Sequence, residues 1–175
     1  MKYTAKSRTG FTLIELLIVI ALLGALAVGL LATIDPFEQL KKGRDTATRN
    51  TVSEFYNANL RYYATKGQFP WATDASIVQV PLSDTRMTDM GSGYIKVLMD
   101  TGELKSRFID LAGTGNLAKI YVTSTSGEQE AVCFMPESKS FQADPNTLYD
   151  ATGGTSITNC KSQVSGGTSC YFCVQ

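Results

Sequence analysis

Gly10-Phe11-Thr12-Leu13-Ile14-Glu15, followed by Leu16 through Ala32 without a polar side chain, decides the reading of this chain. Apolar residues surround every face of the run, so it cannot be an amphipathic surface helix. From Phe11 to Ile34 it has the length that a bilayer core demands, about 20 residues. Lys2, Lys6 and Arg8 precede it and no acid does. That asymmetry predicts a cytoplasmic N-terminus and a translocated remainder. Three plainer readings compete: a secretory signal peptide removed after the run, a simple signal anchor carrying an unrelated ectodomain, and a buried core helix. The run is long for the first and too long and pure for the third. Glu15 weighs against all three, because a carboxylate in hydrocarbon is expensive unless paired or protonated. The junction Arg8-Thr9-Gly10 | Phe11 also has the look of a processing site placed before the apolar run.

The segment from Gly10 to Glu15 resembles the class III signal of type IV pilins and type II secretion pseudopilins: basic leader, glycine, phenylalanine, glutamate and a long apolar run, in that order. In that family a membrane peptidase cuts after the glycine, the new terminal phenylalanine is usually methylated, and a glutamate stands four residues beyond the cut. The resemblance covers residues 1–67 well and the rest in outline. It implies processing at Gly10 and Phe11, and assembly through Glu15, which would pair with the Phe11 amine of a neighbouring subunit. The implied partners are further copies of the chain in a helical homopolymer, a prepilin peptidase, an inner-membrane assembly platform with its ATPase, and the membrane. The implied protein is a structural subunit, a major pilin or pseudopilin. It would be a single-pass membrane protein as precursor and stored monomer, and an extracellular filament once assembled. Adhesion, motility, DNA uptake and secretion all remain open. A monomeric membrane-anchored binding module is the alternative, and a minor pilin is another; Glu15 and the cleavable junction favour a repeating subunit.

Composition agrees with a structural role. Lys plus Arg number 16, as do Asp plus Glu, so there is no general electrostatic reason to expect nucleic acid. No basic, aromatic stripe for DNA is evident. The chain has no histidine, which removes the commonest general base and metal ligand. No convincing nucleophile–base pair appears, so the expectation is no enzyme, no cofactor and no metal.

The expected fold is α+β: a long N-terminal helix, half transmembrane and half amphipathic, packed against a small antiparallel sheet. The expected divisions are a leader (1–10), a transmembrane or filament-core helix (11–34), an amphipathic stalk helix (35–67) and a globular head (68–175) with a cysteine-containing C-terminal loop. Asp35-Pro36-Phe37-Glu38 reads as a fresh helix start, with Asp35 as cap, Pro36 at the first position and Glu38 at capping-box spacing. A kink or brief break is therefore expected near Asp35 in a helix that, run from Phe11 to Lys66, would be about 80 Å long. Val52, Phe55, Tyr56, Leu60 and Tyr63 recur at three- and four-residue spacing and predict the face that holds the sheet. Glu38–Lys42 and Asp45–Arg49 are i,i+4 pairs of favourable orientation, or else partners for other subunits. Lys66-Gly67 and Pro70 mark the helix end, and Tyr62-Tyr63 with Gly67-Gln68-Phe69-Pro70 is similar to the helix exit of major pseudopilins.

In the remainder, Tyr94–Leu104 leans to helix. Lys119–Thr125 and Glu130–Met135 read as a hairpin across Ser126-Gly127, with Ser138–Gln142 as a third strand and Tyr171–Val174 as one more. Residues 144–169 read as a surface loop, in which Asp144, Asn146 and Asp150 offer oxygens for calcium without EF-hand spacing. Cys133, Cys160, Cys170 and Cys173 are disulfide candidates in an exported domain, with three pairings open; tying Cys160 to Cys133 or to the tail would staple the loop to the sheet. Cys170-Tyr171-Phe172-Cys173 raises a redox site and a four-cysteine zinc site as sharper alternatives.

Overall fold

The computed structural model describes residues 10–33, 35–73, 80–125, 129–147, 149 and 170–175. The chain separates into two compact units, Met1–Phe37 and Glu38–Gln175.

The first unit contains α1, Leu13–Thr33. Thr12 starts it: its carbonyl accepts from Leu16 N at 3.3 Å, and its hydroxyl accepts from Glu15 N at 3.3 Å. Leu13–Leu31 is long and apolar enough to cross a membrane, and none of it is buried among the described residues. Helix α2 begins at Pro36, where Asp35 Oδ1 accepts from Phe37 N at 3.1 Å. The expected cap at Asp35 is thus present. Proline at the first helical position accounts for this start, because its ring and missing N–H forbid an undisturbed helix through that point.

The second unit is built on α2, which runs from Pro36 to Lys66. Gly67 ends it in a left-handed conformation (φ 72°), donating its N–H to Tyr63 O at 2.7 Å; glycine is the residue that takes this conformation without strain. Then follow β1 (Val80–Pro81), α3 (Thr85–Thr88), α4 (Tyr94–Asp100), α5 (Phe108–Ala112), α6 (Thr114–Leu117), β2 (Ile120–Thr125), β3 (Gln129–Phe134), α7 (Lys139–Gln142) and β4 (Phe172–Val174). The sheet runs β1-β2-β3-β4, each neighbouring pair antiparallel. The α+β expectation holds, as do the helix at 94–100 and the strands at 120–125, 129–134 and 172–174. The expected turn at Ser126-Gly127 lies outside the described residues.

Period-two alternation gives the sheet two distinct faces. Val132, Phe134 and Phe172 turn towards α2, where Val52, Phe55 and Ala58 are fully buried. Ala131, Cys133 and Cys173 form a smaller cluster with Tyr149 and Tyr171. Trp71, 1% exposed, anchors the other end of the core: its ring centroid lies 5.7 Å from Phe69, 6.3 Å from Phe55 and 5.9 Å from Tyr94. Gly93 is held where no side chain fits, since a Cβ there would lie 2.6 Å from Asp89 O.

Three readings are corrected. Ser138–Gln142 is no strand: α7 occupies Lys139–Gln142, and Ser138 caps it by accepting from Phe141 N at 3.4 Å. Side chains of α2 satisfy the donors at that start, so the segment needs no neighbouring strand. Asp45 Oδ1 accepts from Glu137 N at 3.0 Å, its Oδ2 accepts from Ser138 N at 2.7 Å, and the Glu38 carboxylate accepts from Lys139 N. Within 68–116 the one place weighed for a strand was Tyr94–Leu104, yet the strand there is β1, Val80–Pro81, paired with β2; Pro81, lacking an N–H, is tolerated because β1 is a sheet edge. Leu60 and Tyr63, placed on the sheet-holding face, are 41% and 37% exposed; Ala58 and Asn59 are buried instead.

Candidate assembly segment and the fastened second unit

Glu15 stands in the first turn of α1, and the structure gives it a local partner. Its Oε2 accepts from Thr12 N at 2.8 Å and from Thr12 Oγ1 at 2.8 Å. With the return bond from Glu15 N to Thr12 Oγ1, this is a capping box, two orphan donors of a helix start satisfied reciprocally. Oε1 has no partner among the described residues. Phe11, 88% exposed, and Gly10 directly precede this turn. The carboxylate is therefore held at the helix start, where the helix dipole favours negative charge, one turn from the residue the expected cut would make terminal. Thr12 was missed in the sequence reading; Thr-Leu-Ile-Glu before an apolar run is the Thr-x-x-Glu pattern that signals it.

In the second unit, polar side chains on α2 grip the sheet and α7. Asp45, Thr48 and Asn59 are buried beside Val52 and Phe55. Thr48 Oγ1 donates to Asn116 Oδ1 at 2.7 Å. Asp45, read as an ion-pair partner for Arg49, is occupied by Glu137 N and by Ser138 N and Oγ (the last at 2.5 Å). The Arg49 guanidinium lies 5.0 Å over the Phe172 ring, a cation–π contact that ties the helix to the C-terminal strand. A cleft of about 330 Å³ beside Asp45 is crossed by Glu137, which meets Arg44 at 2.9 Å and Lys119 at 2.5 Å. The Lys119 hydrogen bond, with the charges of Lys119, Arg44 and Lys41, holds the Glu137 carboxyl below its usual range. The chemistry of this cleft is that of fastening: Glu137 is matched by Arg44 and Lys119, and Asp45 by donors from Glu137 and Ser138.

The cysteines divide differently from the sharper expectations. Cys133 and Cys173, partners in the β3–β4 register, form a disulfide. Cys170 is also disulfide-bonded, and its partner lies outside the described residues. With Cys173 committed to Cys133, Cys170-x-x-Cys173 is neither a redox pair nor half of a zinc site, and the tie from Cys133 to Cys160 is replaced. Among the described residues no group of three or more His, Cys, Asp or Glu could hold a metal ion. Asp144 Oδ1 accepts from Asn146 N at 2.8 Å, an Asx turn; Asp150 lies outside the described residues.

No curated protein and no solved structure matches the chain. The prokaryotic N-terminal methylation motif matches residues 5–31. That stretch holds Gly10, Phe11, the Thr12–Glu15 capping box and nearly all of the apolar run, so the chain carries the class III signal of type IV pilins and pseudopilins, and the match supports a pilin-like precursor with a membrane anchor.

Proposed function

We propose that this chain is the repeating subunit of an extracellular, type IV pilus-like filament. A prepilin peptidase cuts between Gly10 and Phe11, and the Phe11 amine is methylated. The subunit then waits in the membrane until an assembly platform and its ATPase extract it. In the filament α1 packs against copies of itself, with Gly24 and Gly29 permitting close backbone approach. Glu15 of one subunit neutralises the Phe11 amine of the next, and the pair fixes register, because a partner lost from a buried pair costs about 3–5 kcal/mol.

One observation carries this reading. An apolar helix of membrane length has no residue buried among the described residues, and it bears a single carboxylate, Glu15, in its first turn, inside the stretch that the methylation motif matches. A simple anchor has no use for that acid.

The test is the intact mass and N-terminal sequence of material sheared from cells. A filament protein that begins at Phe11 and carries an added methyl supports processing and assembly together. A chain that begins at Met1 and is recovered only from membranes favours a monomeric anchored module and overturns the proposal.

A further inference from the structure

A pair of buried polar side chains stands apart from the assembly segment. Glu130, on β3, is 7% exposed, and Asn59, on α2, is fully buried. Asn59 commits both amide hydrogens: Nδ2 donates to Phe55 O at 3.1 Å and to Glu130 Oε1 at 2.9 Å. The two remaining oxygens of these facing groups, Glu130 Oε2 and Asn59 Oδ1, are both buried and have no hydrogen-bond partner among the described residues. Both are acceptors if the carboxyl is ionised, and two buried acceptors left unsatisfied are costly. A single proton on Oε2 resolves both at once, since the O–H can donate to Asn59 Oδ1.

The surroundings point the same way. Burial pushes the Glu130 carboxyl well above its ordinary value of 4.5, and only the Asn59 hydrogen bond opposes it; no cation contributes. On α2, the titratable neighbour is Tyr56, whose phenol is raised by burial and then by Glu130. On β2, the residue in register with Glu130 is Ser124, which does not titrate.

We propose that Glu130 is held in the fold as a neutral carboxylic acid, joined to Asn59 by two reciprocal hydrogen bonds, and that this pair is an alkali-sensitive lock between α2 and the sheet. When the pair ionises, the proton passes to solvent and the buried carboxylate faces the Asn59 carbonyl oxygen with no donor between them. A carboxyl whose pKa is higher folded than unfolded makes the folded chain bind the extra proton. Stability is therefore greatest below the unfolded value and declines as pH rises towards the folded one.

The experiment uses the full chain in detergent micelles. The side-chain carboxyl carbon of Glu130, identified by its disappearance in Glu130→Gln, is titrated by NMR. Thermal midpoints are followed through Trp71, the only tryptophan. Expected are a carboxyl still protonated well above pH 4.5 and a wild-type midpoint that falls by at least about 4 °C between pH 5 and pH 9. In Glu130→Gln an amide N–H replaces the acid O–H, so the slope should shrink and the midpoint near pH 8 should equal or exceed that of wild type. A Glu130 carboxyl that ionises near 4.5, or a variant that keeps the wild-type slope, overturns the proposal. Should the variant fail to fold, the wild-type carboxyl titration decides alone, with Glu130→Asp used for the assignment.

Discussion

Helices α1 and α2 treat their side chains in opposite ways. No residue of the apolar run of α1 is buried among the described residues, whereas α2 takes an aspartate, a threonine and an asparagine into the interior. In the proposed function, lipid and then other copies cover the surface of α1. For α2 the buried polar groups find their partners inside it. The exposed apolar residues of α1 thus contrast with an internal seam held by hydrogen bonds from Asp45, Thr48 and Asn59. A helix that needs partners and a seam that needs none can be damaged separately, and the following substitutions try that separation.

The largest effect is expected from Glu15→Ala. Loss of one member of a buried pair, about 3–5 kcal/mol per subunit, should abolish filaments in a shearing assay while Trp71 fluorescence and thermal midpoint stay as in wild type. Normal filaments from this variant would break the comparison. Phe55→Ala is the converse. Phe55 is fully buried between Trp71 and Phe108, and its truncation should cost about 3–5 kcal/mol of unfolding free energy, read from denaturant midpoints. An unchanged midpoint would mean that the core is not centred on α2. Asp45→Ala should cost about 1–3 kcal/mol by leaving the Glu137 and Ser138 N–H groups without their acceptor; hydrogen exchange at those two amides should quicken before any other in the sheet unit. The smallest effect belongs to Lys119→Ala, about 0.2–1 kcal/mol. Because the Glu137 carboxyl is depressed in the fold, its contribution is present above the unfolded value near 4.5 and disappears as pH falls through the folded one. The variant and wild type should therefore differ at neutral pH and converge in acid.

The ends of the chain's story were more legible than its middle. The methylation signal and the apolar run stand in consecutive residues, and α2 announces its close with Lys66-Gly67. Strands β2 and β3 show through alternation and β-branched residues, as expected of a half-buried sheet. The α2 face was only half legible. Asp45, Thr48, Val52, Phe55, Asn59 and Tyr62 follow a three–four spacing, but three of the six are polar, and a hydropathy reading passes over them. Burial of Asp45 depends on two backbone amides 92 and 93 residues away, which no local pattern contains. The same distance hid α7: Ser138-Lys139-Ser140-Phe141-Gln142 is too short to show a helical period, and only the carboxylates of α2 reveal that its first donors are already satisfied. β1 is two residues long and contains a proline, too little for any periodicity. The pairing of Cys133 with Cys173 is a matter of strand register, whereas the nearness of Cys170 to Cys173 along the chain suggested a different partnership.

That disulfide has a topological consequence. Cys133 and Cys173 are 40 positions apart, so the chain between them is closed into a covalent ring. A protease that cut anywhere inside the ring would nick the protein without releasing a fragment, and the C-terminal strand would stay tethered beside β3. In the proposed filament, such a cut would leave every subunit covalently continuous, with the cut held inside the ring and the buried Phe134 and Phe172 kept on one connected chain.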